Sequence, residues 1–243
     1  MITGVFFDLG GTLYSYRNMQ STMAAVMDKL AATLELDCAE VSRHYQLANA
    51  EVDRLVADTP FYLFRDYFEM IFSNFLGRID RPHLHSHFAW FEEFHREMLL
   101  DCLELKSDCQ ETLARLKGEG LYLSAVSNID DNMLEPLIER AQLQRWLDHW
   151  TSSEAAQSCK PHRRFFELAL EKSGLRSDQV LFVGDSREHD ILGAHALGMK
   201  TVLISEIGQP VPMHIGRETP EPDFSITSLS ELPEIFLSLG ARI

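Results

Sequence analysis

Apolar and polar positions along the chain fall into two textures. Val5-Phe6-Phe7 is a short unbroken apolar run that stops on Asp8 and turns through Gly10 and Gly11, which predicts a buried strand delivering a carboxylate to the mouth of a sheet. Beyond Thr12 the spacing becomes helical: Met23, Val26, Met27 and Leu30, and later Leu63, Tyr67, Ile71 and Phe75, recur at one-face intervals with no convincing strand among them. From Ser107 strand and helix patterns alternate. Ser107 and Gln110 are placed to form a capping box for a helix through Leu113 and Leu116, closed by Gly118 or Gly120. Leu121 to Val126 reads as the next strand. Pro161 suits the first turn of a helix carrying Phe165, Phe166, Ala169 and Leu170 to a stop at Gly174. Val180 to Val183 is a strand, Ile191 to Leu197 a helix and Thr201 to Ile204 a strand. The stretch from Gly208 to Pro222 reads as a surface loop before a last strand and helix within Phe224 to Leu239.

This alternation predicts an α/β fold, a Rossmann-like, doubly wound and mostly parallel sheet. The core is expected to span residues 1–13 and 102–243, with an inserted all-helical cap at 14–101. A chain of 243 residues, 45% of them hydrophobic, can bury one full core with a smaller second lobe. The charge balance narrows the partners: 37 acidic against 22 basic residues give a formal charge of −15, which repels nucleic acid and anionic membrane surfaces. An anionic ligand must then be held by a local site. Cys38, Cys102, Cys109 and Cys159 are scattered and form no metal-ligand pair. The apolar start is too short to span a bilayer and does not resemble a signal peptide, so the reduced cytoplasm is the expected compartment. No feature of the sequence sets an oligomeric state.

In an open α/β sheet, ligands bind beyond the carboxyl ends of the strands. Several polar residues fall there: Asp8 after the first strand, Ser127-Asn128 after the second and Gly184-Asp185-Ser186 after a later one, with Lys160 just before Pro161 and its helix. These four segments, in this order, resemble the motifs of the haloacid dehalogenase-like hydrolase superfamily, and the insert resembles the cap of its helical-cap, phosphatase-like branch.

The resemblance implies that Asp8 is a nucleophile that forms an aspartyl-phosphate on the way to hydrolysing a small phosphorylated substrate. It implies Mg²⁺ as cofactor, held by Asp8, the Gly10 carbonyl and Asp185, with Asp190 binding through water or orienting Lys160. Ser127, Asn128, Lys160 and the Gly11-Thr12 turn would hold the phosphate, Lys160 also balancing the charge on Asp8. The chain departs from the family pattern at Gly10, where the phosphatases usually carry an aspartate that protonates the leaving oxygen. Metal binding survives there through the main chain, but the proton donor is missing. Asp130 or Asp131, a cap residue or the substrate are the candidates to replace it.

Two other readings follow from the same gap: a catalytically weak phosphometabolite-binding or regulatory protein, and a dehalogenase-type hydrolase in which Asp8 attacks carbon without a metal. The apparent metal ligand Asp185 argues against the second. Phosphonate cleavage needs a cap lysine, and the insert offers only Lys29. His83, His85 and His87 alternate in a proline-broken stretch that reads as a solvated loop. The aromatic run Phe61, Tyr62, Phe64, Tyr67, Phe68, Phe72 and Phe75 reads as cap core. Arg17, Arg54 and Arg65 are cap-side cations that read as surface residues, and Gly193, Ala194 and Gly198 as positions that let a helix lie close to the sheet.

Overall fold

The computed structural model describes residues 1–81, 85–206 and 216–239, the side chains of 85–87 excepted. Val5-Phe6-Phe7 forms strand β1 (Gly4–Phe7), buried on both faces as the unbroken apolar run demands. Beyond the turn that follows, Tyr14–Ser15 (β2) pairs antiparallel with Glu104–Leu105 (β3) in a small flap. The remaining strands are β4 (Tyr122–Ser127), β5 (His149–Ser152), β6 (Val180–Gly184), β7 (Lys200–Ile204) and β8 (Phe224–Ile226). Six strands pair, all parallel, in the order β5-β4-β1-β6-β7-β8. The chain therefore builds outward from β1 through β4 to β5, then crosses to β6 on the other side. Neighbouring connections diverge between β1 and β6, the place where such sheets form a crevice.

Register puts the strand ends together. Phe7 lies opposite Ala125 on one side and Val183 on the other, and the Asp8 amide donates to the Val183 carbonyl at 2.9 Å. The residues that follow β1, β4 and β6 thus emerge along one edge of the sheet. The strand β5 was not legible beforehand. His149-Trp150-Thr151-Ser152 is an edge strand with one neighbour, half of it open to solvent, so it carries no apolar run.

Contacts divide the chain into two compact units, Met1–Tyr16 with Glu104–Ile243, and Arg17–Leu103. The second is all helix: α1 (Met19–Leu34), α2 (Cys38–Val56), α3 (Phe64–Arg78) and α4 (His85–Cys102). Its core gathers Val26, Leu30, Val41, Tyr45, Ile71, Phe72, Phe75 and Phe91, among them Val26, Leu30, Ile71 and Phe75, whose helical spacing set the expectation. Tyr67, Phe72 and Phe75 of the aromatic run are buried in this core; Tyr62 and Phe68 pack on its margin.

In the first unit the helices are α5 (Cys109–Gly118), α6 (Asp131–Arg140), α7 (Ser153–Ala156), α8 (Arg163–Ser173), α9 (Leu192–Ala196) and α10 (Leu232–Ser238). Phe165, Phe166 and Ala169 of α8 pack on Phe6, Val180 and Phe182 of the sheet, each ring contributing roughly 2–3 kcal/mol by burial. The expected capping box at Ser107 and Gln110 does not form. Helix α5 starts one residue later behind Asp108, and the Gln110 amide donates to the Ala141 carbonyl instead. Pro161 precedes α8 by two residues rather than sitting in its first turn, while Gly174 does close it, in the left-handed conformation.

Candidate active site

The turn after β1 is knotted around one carbonyl. The Leu9 oxygen accepts from the amides of Thr12, Leu13 and Tyr14 at 3.2, 2.9 and 2.8 Å, folding the chain back sharply beside the buried Asp8. Gly11 has φ +71°, a conformation that favours glycine, and a Cβ there would collide with the Asp185 carboxylate, its Cγ at 2.6 Å. Gly10 is confined differently. A Cβ on it would strike the hydroxyl of Tyr16 and lie 2.8 Å from Cζ of the same ring. The two glycines therefore admit a carboxylate and a phenol against the main chain next to Asp8.

Lys160 organises the buried centre. Its ammonium donates to Asp8 Oδ1 at 2.6 Å, to Asp190 Oδ1 at 2.6 Å and to the Val126 carbonyl at 3.1 Å, which uses all three protons. Ser127 Oγ donates to the same Asp8 oxygen at 2.9 Å; among the described residues nothing donates to Oδ2. Asn128 clamps the lysine backbone, its Oδ1 accepting from the Lys160 amide at 2.7 Å and its Nδ2 donating to the Lys160 carbonyl at 3.2 Å. The Asn128 side chain is thus committed to holding Lys160. Asp190 is equally fixed, its second oxygen accepting from the Ser186 amide at 3.0 Å, and Gly184 leaves room for it, since a Cβ there would meet its carboxyl group. The turn that carries it, Arg187–Ile191, is a π-helix leading into α9.

Asp8, Asp185 and Asp190 each offer an oxygen within 4.8 Å of the others. Three carboxylates face one ammonium at a site that water scarcely reaches. Burial raises the Asp8 pKa, with Asp190 adding to the effect and Lys160 opposing it; burial, Asp8 and Asp190 raise that of Asp185 well above the carboxylate range. Burial would lower Lys160, but Asp190 and Asp8 override it and hold it charged. The corner is short of positive charge, and its donors are hard carboxylate oxygens with the Gly11 main chain against Asp185, oxygen ligands of the kind a small divalent cation prefers.

A family model for haloacid dehalogenase-like hydrolases matches residues 2–198. The chain belongs to that family. Among its relatives is a ribulose-1,5-bisphosphate 5-phosphatase of Halopiger xanaduensis, 30% identical over 97% of this chain and 99% of that protein. An (S)-2-haloacid dehalogenase 4A of Burkholderia cepacia is 33% identical, over 51% of this chain and 52% of its own length. A crystal structure of a HAD phosphatase from Thermococcus onnurineus shares the fold with a TM-score of 0.70 at 22% identity, covering 99% of both chains.

In this haloacid dehalogenase-like hydrolase the strand-end residues singled out by sequence, Asp8, Ser127, Lys160, Asp185 and Asp190, are brought together. Thr12 is buried in the same turn; its amide is taken by Leu9, and its hydroxyl has no hydrogen-bond partner among the described residues. Asp131 accepts from Ser152 Oγ at 2.5 Å, at the end of β5, and Asp130 is buried at the start of α6. Arg17, Arg54 and Arg65 belong to the helical unit. His83 and the side chains of His85 and His87 lie outside the described residues; the backbone of the latter two opens α4 rather than a loop.

Three residues at the site carried no sequence signal. The Lys106 ammonium donates to the Gly11 carbonyl at 2.5 Å, burial lowering its pKa against the pull of Glu206 and Asp185. Glu206 accepts from Ser15 Oγ and, at 3.2 Å, from the Tyr16 amide. Tyr16 lies over Gly10. All three depend on the β2–β3 flap, whose two-residue strands are too short to show a period.

Proposed function

We propose that the protein is a Mg²⁺-dependent phosphatase acting on a small phosphorylated metabolite through an aspartyl-phosphate on Asp8. The observation that carries this reading is the corner where Asp185 and Asp190 face Asp8 with one ammonium between them. Asp8, the Gly10 carbonyl and Asp185 would hold the ion, with Asp190 completing the acidic set. Bound there, the ion would offset the repulsion between a carboxylate and an incoming phosphate and polarise the phosphoryl oxygens.

The chain's own groups define the rest. Lys160 and Ser127 both hold Asp8 Oδ1, which leaves Oδ2 to attack phosphorus. The bond from phosphorus to the leaving oxygen breaks as the Asp8–phosphorus bond forms. Water then attacks the phosphorus of the aspartyl-phosphate, releasing inorganic phosphate and restoring the carboxylate. Lys160 cannot give up a proton readily, so it acts as a fixed charge that opposes the negative charge growing on the transferred group. The Thr12 hydroxyl, without a partner among the described residues, and the Gly11 amide would donate to a phosphoryl oxygen, the Thr12 amide being taken by Leu9. Sequence likeness along almost the whole chain to a phosphatase of a phosphorylated sugar supports this substrate class, whereas the sequence likeness to the Burkholderia dehalogenase covers about half.

Asp8→Asn is expected to abolish Mg²⁺-dependent phosphate release from 4-nitrophenyl phosphate while the far-UV spectrum and melting temperature stay near wild type. Turnover that survives the substitution would refute the assignment. Halide release from 2-chloropropionate that persists in chelator would instead establish the dehalogenase.

A further inference from the structure

We infer that the Tyr16 hydroxyl is the proton donor of this site and acts from the space above Gly10; the inference rests on the phosphatase reading above. The phenol is built into place. Its ring lies along the Gly10-Gly11 main chain, with the hydroxyl where a Cβ of residue 10 would project and Cε2 at 3.0 Å from where a Cβ of residue 11 would sit. A side chain on Gly10 would displace the phenol, and one on Gly11 would press on its ring. The segment holding it is secured on every side: the Tyr16 amide and Ser15 hydroxyl donate to Glu206, the Lys106 amide donates to Leu13, and the Tyr14 hydroxyl donates to Leu137 at 2.6 Å.

Charge explains why a phenol suits this position. The corner already gathers three carboxylates against Lys160, with Lys106 near the turn. A fourth carboxylate at residue 10 would add repulsion where negative phosphate must arrive, whereas a phenol carries a proton without a charge. Phenol is a stronger acid than an alcohol, so transfer of its proton to a departing alkoxide runs downhill. The step balances: as the phosphorus–oxygen bond breaks, the electron pair goes to the leaving oxygen, which takes the Tyr16 proton. The phenolate recovers a proton from the water that attacks the aspartyl-phosphate.

The test compares two esters of similar shape. The 4-nitrophenolate of 4-nitrophenyl phosphate departs without a proton; the alkoxide of benzyl phosphate needs one. Because kcat/KM reports the reaction up to leaving-group departure, Tyr16→Phe is expected to lower it for benzyl phosphate by about 10²–10⁴-fold and to leave it nearly unchanged for 4-nitrophenyl phosphate. A Gly10→Asp/Tyr16→Ala double variant, which exchanges the phenol for a carboxyl in the same space, is expected to outperform Tyr16→Ala on benzyl phosphate. Equal losses on both esters, no loss on either, a wild type inactive on benzyl phosphate alone, or a double variant no better than Tyr16→Ala would overturn the role of Tyr16. A wild type that releases phosphate from neither ester would overturn the phosphatase reading itself, and this inference with it.

Discussion

At the scale of single residues, the site is governed by how few positive charges it holds. Lys160 is 4% exposed and each of its protons is spoken for. Replacing it by methionine keeps the volume but leaves Asp8 and Asp190 buried against each other. Breaking a buried pair in this way typically costs about 3–5 kcal/mol, so urea unfolding of Lys160→Met in chelator should show a loss of that order. A change below about 1 kcal/mol would mean that the carboxylates shed their charge by protonation and that the lysine is not what holds the centre together. Asp8, Ser127, Lys160 and Asp185 were legible because each follows an apolar run or precedes a helix, and the register of a parallel sheet does the rest. Asn128 was read as a phosphate ligand and not as a clamp, since its partner is a main chain 32 residues away.

At the scale of elements, close approach decides geometry. Gly193 lies in α9, where a Cβ would meet the Phe166 ring and stand 2.9 Å from the Pro161 carbonyl. The glycine lets α9 lie against α8 and the Lys160-Pro161 segment, while Ala194 beside it packs toward the sheet as its sequence context suggested. Gly193→Ala is expected to cost about 1–3 kcal/mol as overpacking and to loosen Asp190, three residues earlier. Gly118, at the end of α5 with open space around it, is the control: Gly118→Ala should be neutral or stabilising by about 0.5–1 kcal/mol. Thermal unfolding of the two variants checks both signs, and equal effects would refute the packing argument. The same scale explains what the sequence hid. Long helices and buried strands have periods; β2 and β3, two residues each, have none, and their pairing brings Tyr16 and Lys106 to the Gly10-Gly11 turn that follows Asp8.

For the molecule as a whole, the core of the helical unit sets a response to acid. In the helical unit His95 is 3% exposed, with Phe68 at 4.4 Å and Phe91 stacked on it at 5.3 Å between ring centres. Burial pushes its pKa down to about 4 from 6.5. Between those values the unfolded chain binds the proton and the folded one does not, so stability is intact above about pH 7 and falls as the pH drops toward 4. A displacement of this size is worth roughly 3 kcal/mol. Urea midpoints of the wild type should fall over that window, and His95→Leu should flatten the fall; an unchanged slope would place the acid sensitivity elsewhere. Among the described residues no helix is long and apolar enough to cross a membrane.

The β2–β3 pair has one more consequence. Tyr14 faces Leu105 and Ser15 faces Glu104, so the polypeptide departs for the helical unit and comes back at adjacent points of a single ribbon. To the sheet, the long excursion from Arg17 to Leu103 is topologically a hairpin loop. Its helices can lengthen, shorten or be exchanged over evolutionary time without shifting the register that brings Asp8 and Asp185 together.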